Sequence, residues 1–235
     1  MKKTPLIILF VLCSIAAQAQ LSRGDTLLFN SFKQDEVKVP AASGGNCVSI
    51  ALIKTAIGTF GLGKVFGLKT DSVKQIYQVT LRNGKVLQLS FDEVASATQK
   101  AHFFLKIKTA ESVAVYNYAN LCFAVMCKKL QADTNITLTY EQAVDRLNEG
   151  YVTLNIPELL GIKITRIMDL SLENLKAYRN LVVWYEAHTV YYSLGYYDEE
   201  SYKYSGIVPL EEFHHCYFTQ RLLRKCHPEG AFSLN

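Results

Sequence analysis

Cys47 is the residue whose surroundings most favour chemistry. It follows Gly44, Gly45 and Asn46 and opens the apolar run 46–57, which predicts a buried helix beginning at Cys47. The positive end of a helix dipole and its unpaired N–H groups stabilise the nucleophilic thiolate. The two glycines allow a substrate backbone to come close, and the Cys47 N–H would help to bind an oxyanion. The alternative is that Cys47 is a small buried residue of an apolar helix.

A nucleophilic thiol of this kind needs an imidazole to accept its proton. Of the five histidines, His188 is distinctive because it begins a predicted strand about 140 residues after Cys47. A helix-borne cysteine followed 130 to 150 residues later by a histidine is the order found in papain-type enzymes. The alternative is an edge or core histidine that is hydrogen-bonded to backbone.

Three segments resemble parts of the calpain-like members of the papain superfamily. Segment 44–51, GGNCVSIA, resembles their Gly-Asp/Asn-Cys-x-x-x-Ala opening, and segment 187–190, AHTV, resembles their His-Ala-Tyr-x-Val strand. Segment 118–125, YANLCFAV, is loosely similar to a helix that lies between the two. The resemblance implies a papain-like two-lobed domain in which Cys47 attacks a peptide or isopeptide carbonyl. His188 would take and return the proton around a thioester intermediate.

The chain departs from that family at the oxyanion hole. The family places a glutamine about six residues before its cysteine, where this chain has Ala41. Ser43 or Asn46 would have to replace that donor, or the hole is incomplete. Loss of one such donor typically lowers the rate by about 10²–10³.

A second departure concerns the residue that orients the histidine. The family uses an Asn or Asp on the neighbouring strand, commonly in an Asn-x-Trp-Gly setting, and no such motif follows His188. Asp198 is the nearest carboxylate and Ser205 is the other candidate. Asp198 is our choice, and the alternative is that it is a solvated acid of a turn beside Glu199 and Glu200.

The other cysteines predict no framework of disulfides. Beyond the N-terminal leader five cysteines remain, so at least one cannot form an intramolecular disulfide. A disulfide between Cys216 and Cys226 is the simplest reading of the C-terminal end. The nearby histidines allow a zinc site, but the spacing matches no familiar zinc motif. We therefore expect no metal and no other cofactor.

The remaining patterns predict the elements that position these residues. Asn83-Gly84 between the β-type runs 73–81 and 85–91 predicts a hairpin. Helices are predicted over 90–100, 111–131, 139–150 and 171–178, two of them from capping boxes. Strands are predicted over 181–185, 189–194 and 202–205. Helices early and strands late favour an α+β domain with a helical half packed on a C-terminal antiparallel sheet.

Residues 1–19 have the order of a cleavable signal peptide. Lys2 and Lys3 precede an apolar run and the small-residue site Ala17-Gln18-Ala19, so the mature domain, 20–235, begins near Gln20. The run has about a dozen residues, fewer than the roughly 20 that cross a bilayer, so no stable membrane anchor is expected. We expect export to the periplasm or the extracellular space of a bacterium.

Composition narrows the function classes. Without the leader the formal net charge falls from +4 to +2, too weak to indicate nucleic acid as a partner. Peptide or protein is the expected substrate. The leading hypothesis is an exported cysteine peptidase acting through Cys47, His188 and Asp198, with Asn46, Ser43 and Gly45 at the oxyanion and substrate positions. The alternatives are a catalytically inactive binding module on the same scaffold, and a structural or adhesion protein of unrelated fold.

Overall fold

The computed structural model describes residues 21–35, 45–133, 137–185, 188–201, 204–209 and 228–235. Several expectations lie outside these residues: the leader 1–19, Ala41, Ser43 and the C-terminal cysteines Cys216 and Cys226. They remain predictions.

Helices and strands alternate along the first half of the described chain, and strands dominate its second half. The helices are α1 (Arg23–Ser31), α2 (Cys47–Phe60), α3 (Phe91–Lys100), α4 (Ala110–Gln131), α5 (Tyr140–Asn148) and α6 (Leu172–Leu175), with a 3-10 helix at Ile156–Leu160. The strands are β1 (Phe32–Gln34), β2 (Gly67–Asp71), β3 (Ile76–Thr80), β4 (Val86–Ser90), β5 (Phe103–Leu105), β6 (Ile164–Ile167), β7 (Leu181–Tyr185), β8 (His188–Ser193), β9 (Tyr196–Ser201), β10 (Tyr204–Pro209) and β11 (Gly230–Leu234).

Capping boxes start three of the helices. At α3 the Ser90 side chain accepts from the Glu93 N–H while Glu93 accepts from the Ser90 N–H, as the sequence predicts. Thr139 begins α5 in the same way. Ser22 caps α1 through Asp25, a helix that the sequence analysis missed.

The largest sheet has six antiparallel strands in the order β10-β9-β8-β7-β11-β6. Successive side chains along each strand point to opposite faces of this sheet, and both faces are apolar. Val182, Tyr191 and Phe232 pack toward α2 and α4 in the main core, and Val190 and Tyr192 join a second cluster on the opposite face. The predicted combination of helices with an antiparallel C-terminal sheet is confirmed.

A separate three-stranded sheet contains the predicted hairpin. Its strand order is β2-β3-β4, and β3 pairs with β4 from Ile76 opposite Ser90 to Thr80 opposite Val86. Gly84 has a φ of 84°, a conformation that glycine adopts without strain. The Asn-Gly turn is therefore confirmed.

The turn after β8 differs from the prediction. It is formed by Leu194 and Gly195, which have φ values of 51° and 89°, so β9 begins at Tyr196. Two consecutive positive φ values suit a tight hairpin whose twist matches that of its strands. Asp198 consequently lies buried within a strand and not in a turn, so the alternative that it is a solvated turn acid is wrong. Ser205 lies on β10, one strand further from β8.

The helix predicted over 171–178 ends at Leu175 after a single turn. None of the described helices is both long and apolar enough to cross a membrane.

Candidate functional site

Cys47 is the first residue of α2, as predicted. Asn46 is the N-cap, and its carbonyl accepts the first helical hydrogen bond from the Ile50 N–H at 3.0 Å. The Cys47 side chain is buried, with a relative exposure of 8%, and it is not in a disulfide. Its thiol therefore lies at the positive end of a 14-residue helix.

The Asn46 side chain is turned into the protein. Its amide Nδ2 donates to the Ala101 carbonyl and, at 3.4 Å, to Asn148 Oδ1. Because both hydrogens of this amide have protein acceptors, Asn46 is a poor oxyanion donor. The structure instead gives it the role of joining the start of α2 to α3 and α5.

Gln34, at the end of β1, contacts the residues just before Cys47, and the sequence analysis did not single it out. Its Oε1 accepts from the Asn46 N–H at 3.0 Å. A Cβ at Gly45 would lie 2.6 Å from Gln34 Oε1, and Gly45 has a φ of 71°. Gly45 is thus required for the close approach of Gln34 as well as for its backbone conformation.

No sequence signal could have indicated Gln34. It precedes Cys47 by about twice the spacing at which the family places its glutamine, and only the pairing of β1 with β5 fixes its position.

His188 begins β8 and is half-buried. Its ring meets Tyr185 edge-on, with centroids 5.6 Å apart. Burial lowers the pKa of His188 from 6.5 to about 4, and the charge of Asp198 partly opposes this shift. The resting imidazole is therefore neutral at neutral pH, with a lower proton affinity than a solvated histidine.

Asp198 is buried on β9, with a relative exposure of 2%. Its Oδ2 forms an ion pair with Lys54 of α2, whose relative exposure is 0%, and its Oδ1 lies 3.5 Å from Lys106 Nζ. Neither carboxylate oxygen has a hydrogen bond to His188 in the described structure. Both carboxylate oxygens therefore face buried or nearly buried ammonium groups.

Cys47 and His188 line one cleft of about 710 Å³, although they are far apart in sequence. The start of α2 and the β7–β8 hairpin form two of its walls, the latter through Trp184, His188 and Thr189. The third wall is the end of α5 and segment 150–155. The Thr153 and Thr189 hydroxyls lie 3.0 Å apart and join the second wall to the third. The size suits a peptide segment or another small ligand.

A second, much smaller cavity shares Cys47, His188 and Thr189 with the cleft. It measures about 10 Å³, and Cys47, His188 and Asp198 all line it. The structure thus brings all three predicted catalytic residues to one place.

The other described cysteines have no part in this site. Cys122 and Cys127 lie on α4, fully buried, and burial raises the pKa of each thiol. Among the described residues no group of three or more histidine, cysteine or acidic side chains could hold a metal ion.

Comparisons with known proteins add no relative. No family model, no curated protein and no solved structure matches the chain. The case for a function therefore rests on the cleft and on the residues that line it.

Proposed function

We propose that this chain is an exported cysteine peptidase-like protein of papain-like, two-lobed type, which hydrolyses peptide or isopeptide bonds through Cys47 and His188. The observation that carries the proposal is that both side chains line the same cleft and the same small cavity. The helix N-terminus at Cys47 and the neutral imidazole of His188 suit the roles of nucleophile and base.

The reaction follows from these two groups. Cys47 Sγ forms a bond to the carbonyl carbon while His188 accepts the thiol proton. His188 then gives that proton to the leaving amine nitrogen as the C–N bond breaks, which leaves a thioester on Cys47. Water, deprotonated by His188, attacks the thioester, and the free acid and the Cys47 thiol are regenerated.

Gln34 takes the place of the glutamine that is missing at Ala41. Its side-chain amide lies against Gly45 and Asn46. Together with the backbone N–H of Cys47 it would donate to the oxyanion of the tetrahedral intermediate. Gln34→Glu tests this, because it keeps the acceptor for the Asn46 N–H and removes the amide donor. We expect a fall in rate of about 10²–10³ with little change in unfolding midpoint.

Asp198 would orient His188 through a water molecule. The two side chains share a cavity of about 10 Å³ and have no direct hydrogen bond. Asp198 Oδ1 is buried without a hydrogen-bond partner among the described residues. Roughly 10–15 Å³ is enough for one water, which needs polar partners such as these. Asp198 is then a positioning residue, and its ion pairs with Lys54 and Lys106 fix the carboxylate in place.

The deciding experiment is thiol labelling of the purified protein followed by peptide mapping. Under native conditions an epoxide or chloromethyl ketone inhibitor should modify Cys47 and leave Cys122 and Cys127 unmodified, because their thiols are buried with raised pKa values. His188→Gln should slow the labelling, and Cys47→Ala should abolish both labelling and peptide hydrolysis. Cys122→Ala is the matched control and should label as the parent does. Full hydrolytic activity in Cys47→Ala would refute the proposal.

The second candidate is a catalytically inactive, peptidase-like binding module. The engagement of Asp198 by two lysines favours it, because neither Asp198 oxygen hydrogen-bonds His188 directly in the described structure. This candidate predicts peptide binding in the cleft by a protein whose Cys47 reacts no faster than a cysteine in an unfolded peptide.

A further inference from the structure

Arg146 brings a positive charge to the cleft that contains Cys47. It lies in the last turn of α5 and lines the third wall together with Tyr151. Among the described residues of the lining it is the only one with a permanent charge. No ion pair of Arg146 occurs within the described part of the chain. A guanidinium in this position has its donors available to a ligand.

Tyr151 supplies a second donor on the same wall. It is half-buried, and burial raises the pKa of its phenol above 10.0. The carboxylates of Asp133 and Glu158 raise the pKa further, while Arg146 opposes them. The hydroxyl is therefore protonated at neutral pH and can donate a hydrogen bond beside the guanidinium.

The acidic groups near this wall do not cancel its charge. Asp133 Oδ2 lies 3.7 Å from Lys129 Nζ, and Glu158 is exposed. Asp145 of α5 and Glu149, directly after the end of α5, are exposed. None of these four carboxylates lines the cleft.

Apolar surface accompanies the two donors. Leu130, Leu138 and Val152 line the cleft near Arg146, and Val152 is 60% exposed. A ligand that fits must carry an apolar part and an anionic group. A guanidinium binds a carboxylate through two parallel hydrogen bonds.

We propose that Arg146 and Tyr151 form a carboxylate-binding subsite, so that the cleft selects peptides carrying an acidic group near the bond presented to Cys47. This inference rests on the proposed function, because it assumes that peptides bind in the cleft. The carboxylate can belong to an Asp or Glu side chain or to a peptide C-terminus.

Peptide binding to the Cys47→Ala variant tests the subsite without any turnover. The probes are hexapeptide amides with a neutral fluorophore on a Leu-Ala background, with Glu or Gln placed at each position in turn. A third set carries Gln with a free C-terminal carboxylate. Fluorescence anisotropy gives the Kd of each.

We expect at least one Glu or free-carboxylate probe to bind about 10-fold or more tightly than its neutral match. Arg146→Gln in the same background should remove the preference, and Arg146→Glu should reverse it, so that the Gln probes bind more tightly than the Glu probes. Arg166→Gln, an equal charge change on an exposed residue outside the cleft, should leave it intact. Whether internal Glu or the free terminus is preferred identifies the source of the carboxylate.

Equal Kd values for charged and neutral probes, or no binding of any probe, would overturn the subsite. A preference that survives Arg146→Gln would also overturn it. The thiol-labelling experiment tests the peptidase proposal separately. If Cys47 is unreactive but the preference for acidic peptides is present, the peptidase proposal is refuted and the carboxylate-binding subsite is supported.

Discussion

His188 shows how one side chain is set by its surroundings. It is half-buried against Tyr185, and the charge of Asp198 offsets only part of the cost of burying a cation. The neutral ring is thereby favoured at neutral pH, and its proton affinity is lower than that of a solvated imidazole. Protonation of His188 must then be coupled to stability.

We expect the free energy of unfolding to fall as the pH drops from 6.5 toward 4, the window between the unfolded and folded pKa values of His188. Within this window the unfolded chain binds a proton that the folded chain does not. Urea unfolding followed by the fluorescence of Trp184, the single tryptophan, measures the effect. His188→Gln should lose less stability over the same window. An equal loss in both proteins would show that another group is responsible.

At the scale of elements, one carboxylate connects helices to the sheet. Asp198 of β9 pairs with Lys54 of α2, and the same lysine lies 4.9 Å from the centre of the Phe32 ring. Lys106, 3.5 Å from Asp198, also donates to the Phe29 carbonyl at 2.8 Å. These contacts fix α2, and with it Cys47, relative to the strands that carry His188.

Removal of one partner from this buried pair should be costly. Lys54→Met is expected to lower the free energy of unfolding by about 3–5 kcal/mol, because it leaves Asp198 poorly compensated in the interior. Lys54→Met combined with Asp198→Leu should be less destabilised than Lys54→Met alone, as chemical denaturation would show. Lys74→Met is the control, since its pair with Asp71 spans 3.9 Å on the surface. Additive losses in the double variant would contradict this account.

A close contact between two strands shapes one wall of the cleft. Gly230 of β11 lies opposite Trp184 of β7, and a Cβ there would lie 1.9 Å from Trp184 Cζ2. Trp184 also lines the cleft. The indole therefore has its place only because residue 230 is glycine.

Gly230→Ala should displace Trp184, lower the free energy of unfolding by about 1–3 kcal/mol and shift the tryptophan emission. Emission spectra and urea unfolding test this. Gly24→Ala is the matched control, because its nearest atom would be 3.6 Å from the added Cβ, and its emission should be unchanged. An unaltered emission spectrum in Gly230→Ala would show that the Trp184 indole does not pack against residue 230.

At the scale of the whole molecule, the cleft lies where the helical part meets the large sheet. α2 and α4 share the main core with one face of that sheet, so the N-terminus of α2 opens beside the β7–β8 hairpin. A cleft between two packed layers is a common place for a ligand site.

We predict that the mature protein begins at Gln20. Expression of the full chain in a bacterium should give a product outside the cytoplasm whose intact mass lacks residues 1–19. Replacement of Ala19 by Arg should block cleavage, because signal peptidase requires a small residue there. A cytoplasmic product that keeps Met1 through Ala19 would refute the leader.

The sequence by itself determined the local features. The start of α2 at Cys47, the hairpin at Asn83-Gly84 and the caps at Ser90 and Thr139 follow from contacts within a few residues. Such contacts depend on neighbouring residue types, so periodicity and capping patterns identify them. The choice of His188 among five histidines also came from the sequence, through its distance from Cys47.

Only the tertiary structure decided how the site is built. Gln34 reaches Gly45 because β1 pairs with β5, and Asp198 is buried because the turn at Leu194-Gly195 moves it into β9. Lys54 and Arg146 are both basic residues on helices, yet one is enclosed against a carboxylate and the other lines a cleft. Burial and partners depend on which distant segments pack together, and no local pattern encodes that.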